Sequence, residues 1–172
     1  MIKSLAYLMA LFLLGVSLPS HAIPPAAVSI EDKQQIQDLI STYSQAYDRK
    51  DIEGFLALFT KDCVWEAYAS GAETPMVSVA NRDALRAVTV QRFEVLQQKG
   101  IQSRHFQTNT ILVVRPDGQV EGTTMLNLIW QVPSEKPYTV TTGIYHTLFV
   151  KAEGGWRIAK RTLMMDQSEF GK

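Results

Sequence analysis

The chain has 172 residues, in which 17 Lys and Arg are matched by 17 Asp and Glu. A formal charge of zero, with no run or stripe of basic residues, argues against nucleic acid as a partner. The single cysteine, Cys63, excludes an internal disulfide and reads as a buried, inert thiol, so the fold must rest on packing.

The first residues carry one cation, Lys3, an apolar run from Leu5 to Val16 and a small-x-small ending, Ser20-His21-Ala22. This is the three-part layout of a secretory signal peptide, residues 1–22, with cleavage expected after Ala22. The apolar run is short for a permanent bilayer span, so no stable membrane anchor is expected after cleavage. A periplasmic or secreted location follows as an expectation, and about 150 residues remain, the size of one domain. Residues 23–29, "IPPAAVS", form a tether whose prolines are incompatible with a helix interior. One domain is expected over residues 30–170.

Ser29, with Asp32 three residues on, gives a capping-box signal for a helix. On that helix Ile36, Ile40, Tyr43 and Tyr47 share one face. Asp51 is placed to cap a second, shorter helix, "IEGFLALF". "KDCVWEAYA" reads as a strand, followed by a polar loop up to about Ala80. Asn81 then caps a third helix, "RDALRAVTVQRFEVLQQK", which Gly100 ends. Beyond Gly100 four segments rich in β-branched and aromatic residues are separated by "RPDGQ", "PSEKP" and "KAEGG", all turn chemistries. Helices followed by hairpin-connected strands predict an α+β fold, a curved and mostly antiparallel sheet packed on three N-terminal helices.

Several chemistries can be set aside. After the leader the chain has two histidines, His105 and His146, and lacks both H-x-x-x-H and paired-Cys spacing. It has neither a G-x-S-x-G elbow nor a strand-to-helix phosphate loop, so no metal, nucleotide, flavin or other cofactor is expected. Asp48 is the notable acid. It stands at the negative end of the first helix, directly after Tyr47, where a cation would be more comfortable. It reads either as a solvated acid in the run "DRKD" or as a carboxylate at a cavity edge, serving as a base or orienting one. His105, opening a strand in "SRHFQTN", reads as a half-buried structural histidine or as a general base oriented by a carboxylate. His146 shares a strand face with Ile144 and Leu148 and reads as a core or cavity-lining residue. Arg161 alternates with Ala159 and Leu163 and so points inward, where a guanidinium needs an acceptor or an anion.

Three segments in this order, "DLISTYSQAYDRKDIEGFLALFTKDCVW", "SRHFQTN" and "GIYHTLFVKAEGGWRIAKRTL", resemble the SnoaL-like branch of the nuclear-transport-factor-2-like superfamily. The likeness covers roughly Ile30 to Asp166. It implies a cone-shaped roll whose curved sheet wraps the helices and leaves a deep pocket. Its scytalone dehydratase and lindane dehydrochlorinase members pair an aspartate with a histidine at the pocket floor. Carried onto this sequence, the resemblance implies that Asp48 orients His105 and that His105 abstracts a proton. It further implies that Tyr47 polarises a substrate oxygen and that Arg161 stands near a leaving group. The substrate-binding set it implies is Tyr68, Trp130, His146 and Asn127. Trp130 replaces a second pocket histidine of the dehydratase, so scytalone itself is not the expected substrate, and His146 is the residue placed to compensate. The expected activity is that of a cofactor-independent lyase or isomerase acting on a small apolar or aromatic molecule. The alternatives are a non-catalytic secreted or periplasmic ligand-binding module and an interaction domain whose outer sheet face forms a homo-oligomer. Fold alone does not decide between them.

Overall fold

The computed structural model describes residues 27–168; the leader, most of the tether and the last residues of the expected domain lie outside them. Helix α1 spans Ile30–Asp48, and Ser29 caps it by accepting the Asp32 amide. Helix α2 (Ile52–Leu56) is capped by Asp51 and helix α3 (Arg82–Gln98) by Asn81, each side chain accepting the amide three residues on. These are the orphan amides that helix formation leaves without internal partners, and the caps stand at the residues expected from sequence.

Six strands follow the order β2-β1-β6-β5-β4-β3 across one sheet. They are β1 (Phe59–Tyr68), β2 (Val77–Ala80), β3 (Gln102–Val114), β4 (Val120–Gln131), β5 (Tyr138–Ala152) and β6 (Gly155–Met165). All neighbours are antiparallel except β1 and β6. Strand β2 corrects the expectation of a loop up to Ala80: its four residues pair at the sheet edge with Val64–Ala67, too short a run to show a period. Register shifts interrupt β1, β3 and the β4–β5 and β5–β6 ladders, and extra residues of this kind bend strands. The bend lets the sheet wrap around the helices.

The concave face carries two apolar clusters. At one end Ile36, Ile40, Phe55, Phe59, Phe149 and Ile158 fill the space between α1, α2 and the sheet, each 3% exposed or less. Burying side chains of this kind contributes roughly 1.5–3 kcal/mol apiece. At the other end Leu126, Leu128, Tyr145, Leu163 and Met165 pack around a space that the helices do not fill. The first cluster holds the fold together, and the second surrounds a cavity.

Candidate active site

The site begins with the last turn of α1. Tyr43 and Tyr47 are one turn apart and both face the sheet, with Asp48 beside them. After Asp48 the chain turns sharply, with Lys50 at a φ of 60° and the Asp51 amide bonded to the Ala46 carbonyl. The helix end is tied to the start of β3. Gln102 Nε2 donates to the Asp48 carbonyl at 2.8 Å, and Lys50 Nζ reaches the Ile101 carbonyl at 3.4 Å.

This arrangement turns the Asp48 side chain inward, where it is 7% exposed. Three donors converge on its carboxylate. His105 Nδ1 lies 2.6 Å from Oδ1, the Ser103 hydroxyl donates to Oδ1 at 3.0 Å, and the His105 amide donates to Oδ2 at 2.8 Å. Together they offset both desolvation and the negative pole of α1. An ionised carboxylate can only accept, so it selects the tautomer of a neutral ring that carries its proton on Nδ1 and leaves Nε2 as the acceptor. The ring is held from the side by Tyr47, whose centroid is 4.8 Å away at an interplanar angle of 67°.

His105 forms part of the wall of a cavity of about 340 Å³. Leu126, Leu128 and Leu163 contribute apolar wall from the sheet, Leu85 and Val88 do so from α3, and Met76 and Val77 lie before and at the start of β2. The polar groups at its surface are few: His105, the hydroxyls of Tyr43, Tyr47 and Tyr145, the Trp65 indole, Thr89 and Arg92. Burial pushes the Tyr47 phenol up, partly opposed by the neighbouring Arg92 guanidinium. Burial likewise pushes the Tyr145 phenol well above its ordinary value. Both tyrosines are therefore neutral and retain protons to donate. An apolar enclosure with a few convergent polar groups is the usual form of a small-molecule site.

The expected residues divide by position. Asp48, His105 and Tyr47 come together at the cavity. Arg161 does point inward, but it is 0% exposed and lies outside the cavity wall, beneath Tyr43 and Tyr145. Its expected place beside a leaving group is corrected accordingly. Tyr68 alternates with the wall residue Ala67 and so falls on the opposite face of β1. Trp130 is half-buried outside the wall, with the Arg92 guanidinium 5.1 Å from its ring. His146 and Asn127 are both exposed on the outer face of the sheet, which corrects the expectation of a pocket role for either. On β5 the inward set is Tyr145, Thr147 and Phe149, and on β4 it is Leu126 and Leu128. The apolar Ile144 and Leu148 that flank His146 mark the outer face, because that face also carries apolar side chains.

Sequence reasoning missed Tyr43, Trp65, Thr89, Arg92 and Tyr145 as cavity residues. The helical spacing of Tyr43 with Tyr47 was a usable signal. Thr89 and Arg92 share a face of α3 with Leu85 and Leu96, which marks them as facing the sheet. Among the described residues, no group of three or more His, Cys, Asp or Glu side chains could hold a metal ion.

Solved structures share this architecture. ActVI-ORFA of Streptomyces coelicolor superposes with a TM-score of 0.69 at 20% identity, covering 78% of this chain and 94% of its own. A proposed scytalone dehydratase of Novosphingobium aromaticivorans gives 0.67 at 21% identity, over 80% and 86% of the two chains. An Asp-to-Asn variant of Rv3472, a protein of unknown function from Mycobacterium tuberculosis, gives 0.65 at 25% identity, over 82% and 78%. Comparison with curated proteins gave no significant match. The SnoaL-like domain family matches residues 28–162, and with that span, the cone-like roll and the hollow end of its sheet, this chain belongs to the SnoaL-like family.

Proposed function

We propose that the protein is a cofactor-independent lyase or isomerase that removes a proton from an activated carbon of a small apolar or aromatic molecule. The observation that carries this reading is the 2.6 Å contact between Asp48 and His105 at the wall of an otherwise apolar cavity. Nε2 of neutral His105 takes the proton, and the C–H electron pair passes into a new double bond. Departure of water or another leaving group from the adjacent carbon completes an elimination, and reprotonation at a different carbon completes an isomerisation. Asp48 holds the ring and balances the imidazolium that forms, and Tyr47 donates to the substrate's oxygen as charge develops there.

The test is a thermal-shift screen of small metabolites on the mature protein, followed by turnover of any stabilising compound in D2O. His105→Ala should abolish exchange or elimination while the fold persists. An unchanged rate in that variant would refute the base assignment. The scarcity of polar groups in the cavity favours one alternative, a non-catalytic carrier of the same ligand class. It predicts binding that neither His105→Ala nor Asp48→Asn alters.

Residues 1–22 are assigned to export, giving a periplasmic or secreted protein that begins at Ile23. The intact mass and fractionation of the protein expressed from its full sequence test this. Apolar side chains exposed on the outer sheet face, among them Phe106, Ile111, Val113 and Met125, support a homo-oligomer, which sedimentation would reveal.

A further inference from the structure

Arg161 is the largest fully buried side chain among the described residues, and none of its partners is an acid. One terminal nitrogen donates to the Thr147 hydroxyl at 3.0 Å and the other to Gln107 Oε1, while Nε has no partner. The guanidinium lies against two tyrosine rings, 4.1 Å from the Tyr43 centroid and 3.7 Å from that of Tyr145. Burying a permanent cation without a carboxylate costs several kcal/mol, and the ring faces of two tyrosines return only part of that. The positive charge thus lies behind two rings that line the cavity.

The hydroxyl of Tyr43 is arranged to exploit it. Trp65 Nε1 donates to the Tyr43 oxygen at 3.3 Å. The Tyr145 ring stands edge-on to that of Tyr43, with centroids 6.0 Å apart at an interplanar angle of 67°. A hydroxyl has two acceptor positions and one proton. With Trp65 donating to its oxygen, the Tyr43 hydroxyl keeps its own proton to give, and Tyr43 lines the cavity together with His105, their ring centroids 6.4 Å apart.

We propose that Tyr43, backed by the buried Arg161, is a second donor beside Tyr47 to the substrate's oxygen, so that the ligand is a carbonyl compound seated with its oxygen against Tyr43 in the cavity. This rests on the acid–base reading above and extends it. When His105 removes a proton from the carbon next to the carbonyl, negative charge moves onto that oxygen. Tyr43 then meets the charge with a preformed hydrogen bond, and Arg161, which does not touch the ligand, stabilises it through the ring. Preorganised donors aimed at developing charge are among the largest contributions to catalysis.

The probe is 4-nitrophenol, whose coloured phenolate imitates an enolate oxygen, compared with uncharged 4-nitroanisole of similar size. In buffer alkaline enough to keep the free phenol ionised, the wild-type protein should bind the phenolate more tightly than the ether. Tyr43→Phe should weaken phenolate binding roughly 10- to 100-fold, the range for a hydrogen bond to a charged group, and leave the ether unaffected. Arg161→Met, which keeps most of the stem, should act in the same direction without removing any group that touches the ligand. Trp65→Phe, which removes one donor to Tyr43 and keeps an aromatic ring, gives a smaller effect and serves if Tyr43→Phe fails to fold. His105→Ala should retain the phenolate preference, so failure of the base and failure of the donor are read separately. Equal phenolate affinity in wild type and a folded Tyr43→Phe would overturn the proposal. So would loss of the preference in His105→Ala, or an Arg161→Met that weakens phenolate and ether alike.

Discussion

Replacing Asp48 by asparagine preserves shape but removes the charge and half of the acceptors. The carboxylate receives the His105 amide on one oxygen, and Ser103 and His105 Nδ1 on the other. An amide has one oxygen. If that oxygen faces Nδ1 and Ser103, the NH2 group opposes the His105 backbone N–H, and one buried donor is left unsatisfied. If the amide is flipped, its oxygen serves the backbone N–H and Ser103 can rotate to accept. His105 must then accept at Nδ1, which moves the ring proton to Nε2 and removes the base. Either arrangement exchanges a charge-assisted contact for a weaker or missing one, at about 1–3 kcal/mol. For a domain of this size that lowers Tm by roughly 2–4 °C per kcal/mol. The wrong tautomer should reduce proton abstraction on the order of 10²- to 10⁴-fold, the usual contribution of a positioned base. Nitrogen NMR of His105 reads the tautomer without any substrate. The wild type should carry its proton on Nδ1, and the variant should shift toward Nε2 wherever its amide is flipped. A wild-type ring protonated on Nε2, or a variant with unchanged tautomer and melting temperature, would refute the reasoning.

Ser103→Ala removes one of the donors to Asp48 without altering the tautomer, so it should cost about 1 kcal/mol in chemical denaturation and leave the His105 nitrogen spectrum unchanged. Asp32 accepts from Lys151 and from Trp156, and with Ser29 these partners hold its carboxyl down at about 2, against an ordinary 3.8. Its folded value is depressed, so its contribution is complete above the ordinary value and is lost as pH falls toward 2. Asp32→Asn should accordingly melt below the wild type at neutral pH, with the two melting curves converging between pH 4 and pH 2. Ala67 is 5% exposed in the cavity wall, and Ala67→Phe should fill the cavity and abolish thermal stabilisation by any ligand that binds there. Stabilisation undiminished in a folded Ala67→Phe protein would place the ligand elsewhere.

The helices were legible because their signals are local. Ser29, Asp51 and Asn81 cap where their short polar side chains reach an amide three residues on, and Gly100 takes the left-handed φ of 64° that follows α3. The strands after Gly100 were legible from β-branched content and turns, whereas the edge strand Val77–Ala80 is defined only by its pairing with β1. Which face of each long strand points inward was harder. Alternation identifies two faces but names neither when both carry apolar residues, and this is how His146 was placed inside. Arg161 was correctly turned inward, yet its neighbours on β5 and α1 put two tyrosine rings between it and the cavity.

Asp48 illustrates the division. Its sequence neighbours define an acid at the unfavourable end of a helix and leave open a solvated charge or a functional one. Residues 102–105 arrive from more than fifty positions away in the chain, and their donors exclude the solvated charge by burying and satisfying the carboxylate. The sequence by itself determined the α+β order of elements, and it offered the pairing of this aspartate with this histidine only through a family resemblance. Only the tertiary structure decided which side chains enclose empty space, because a cavity is a property of surfaces that bend toward one another, and no local pattern in the chain encodes that distance.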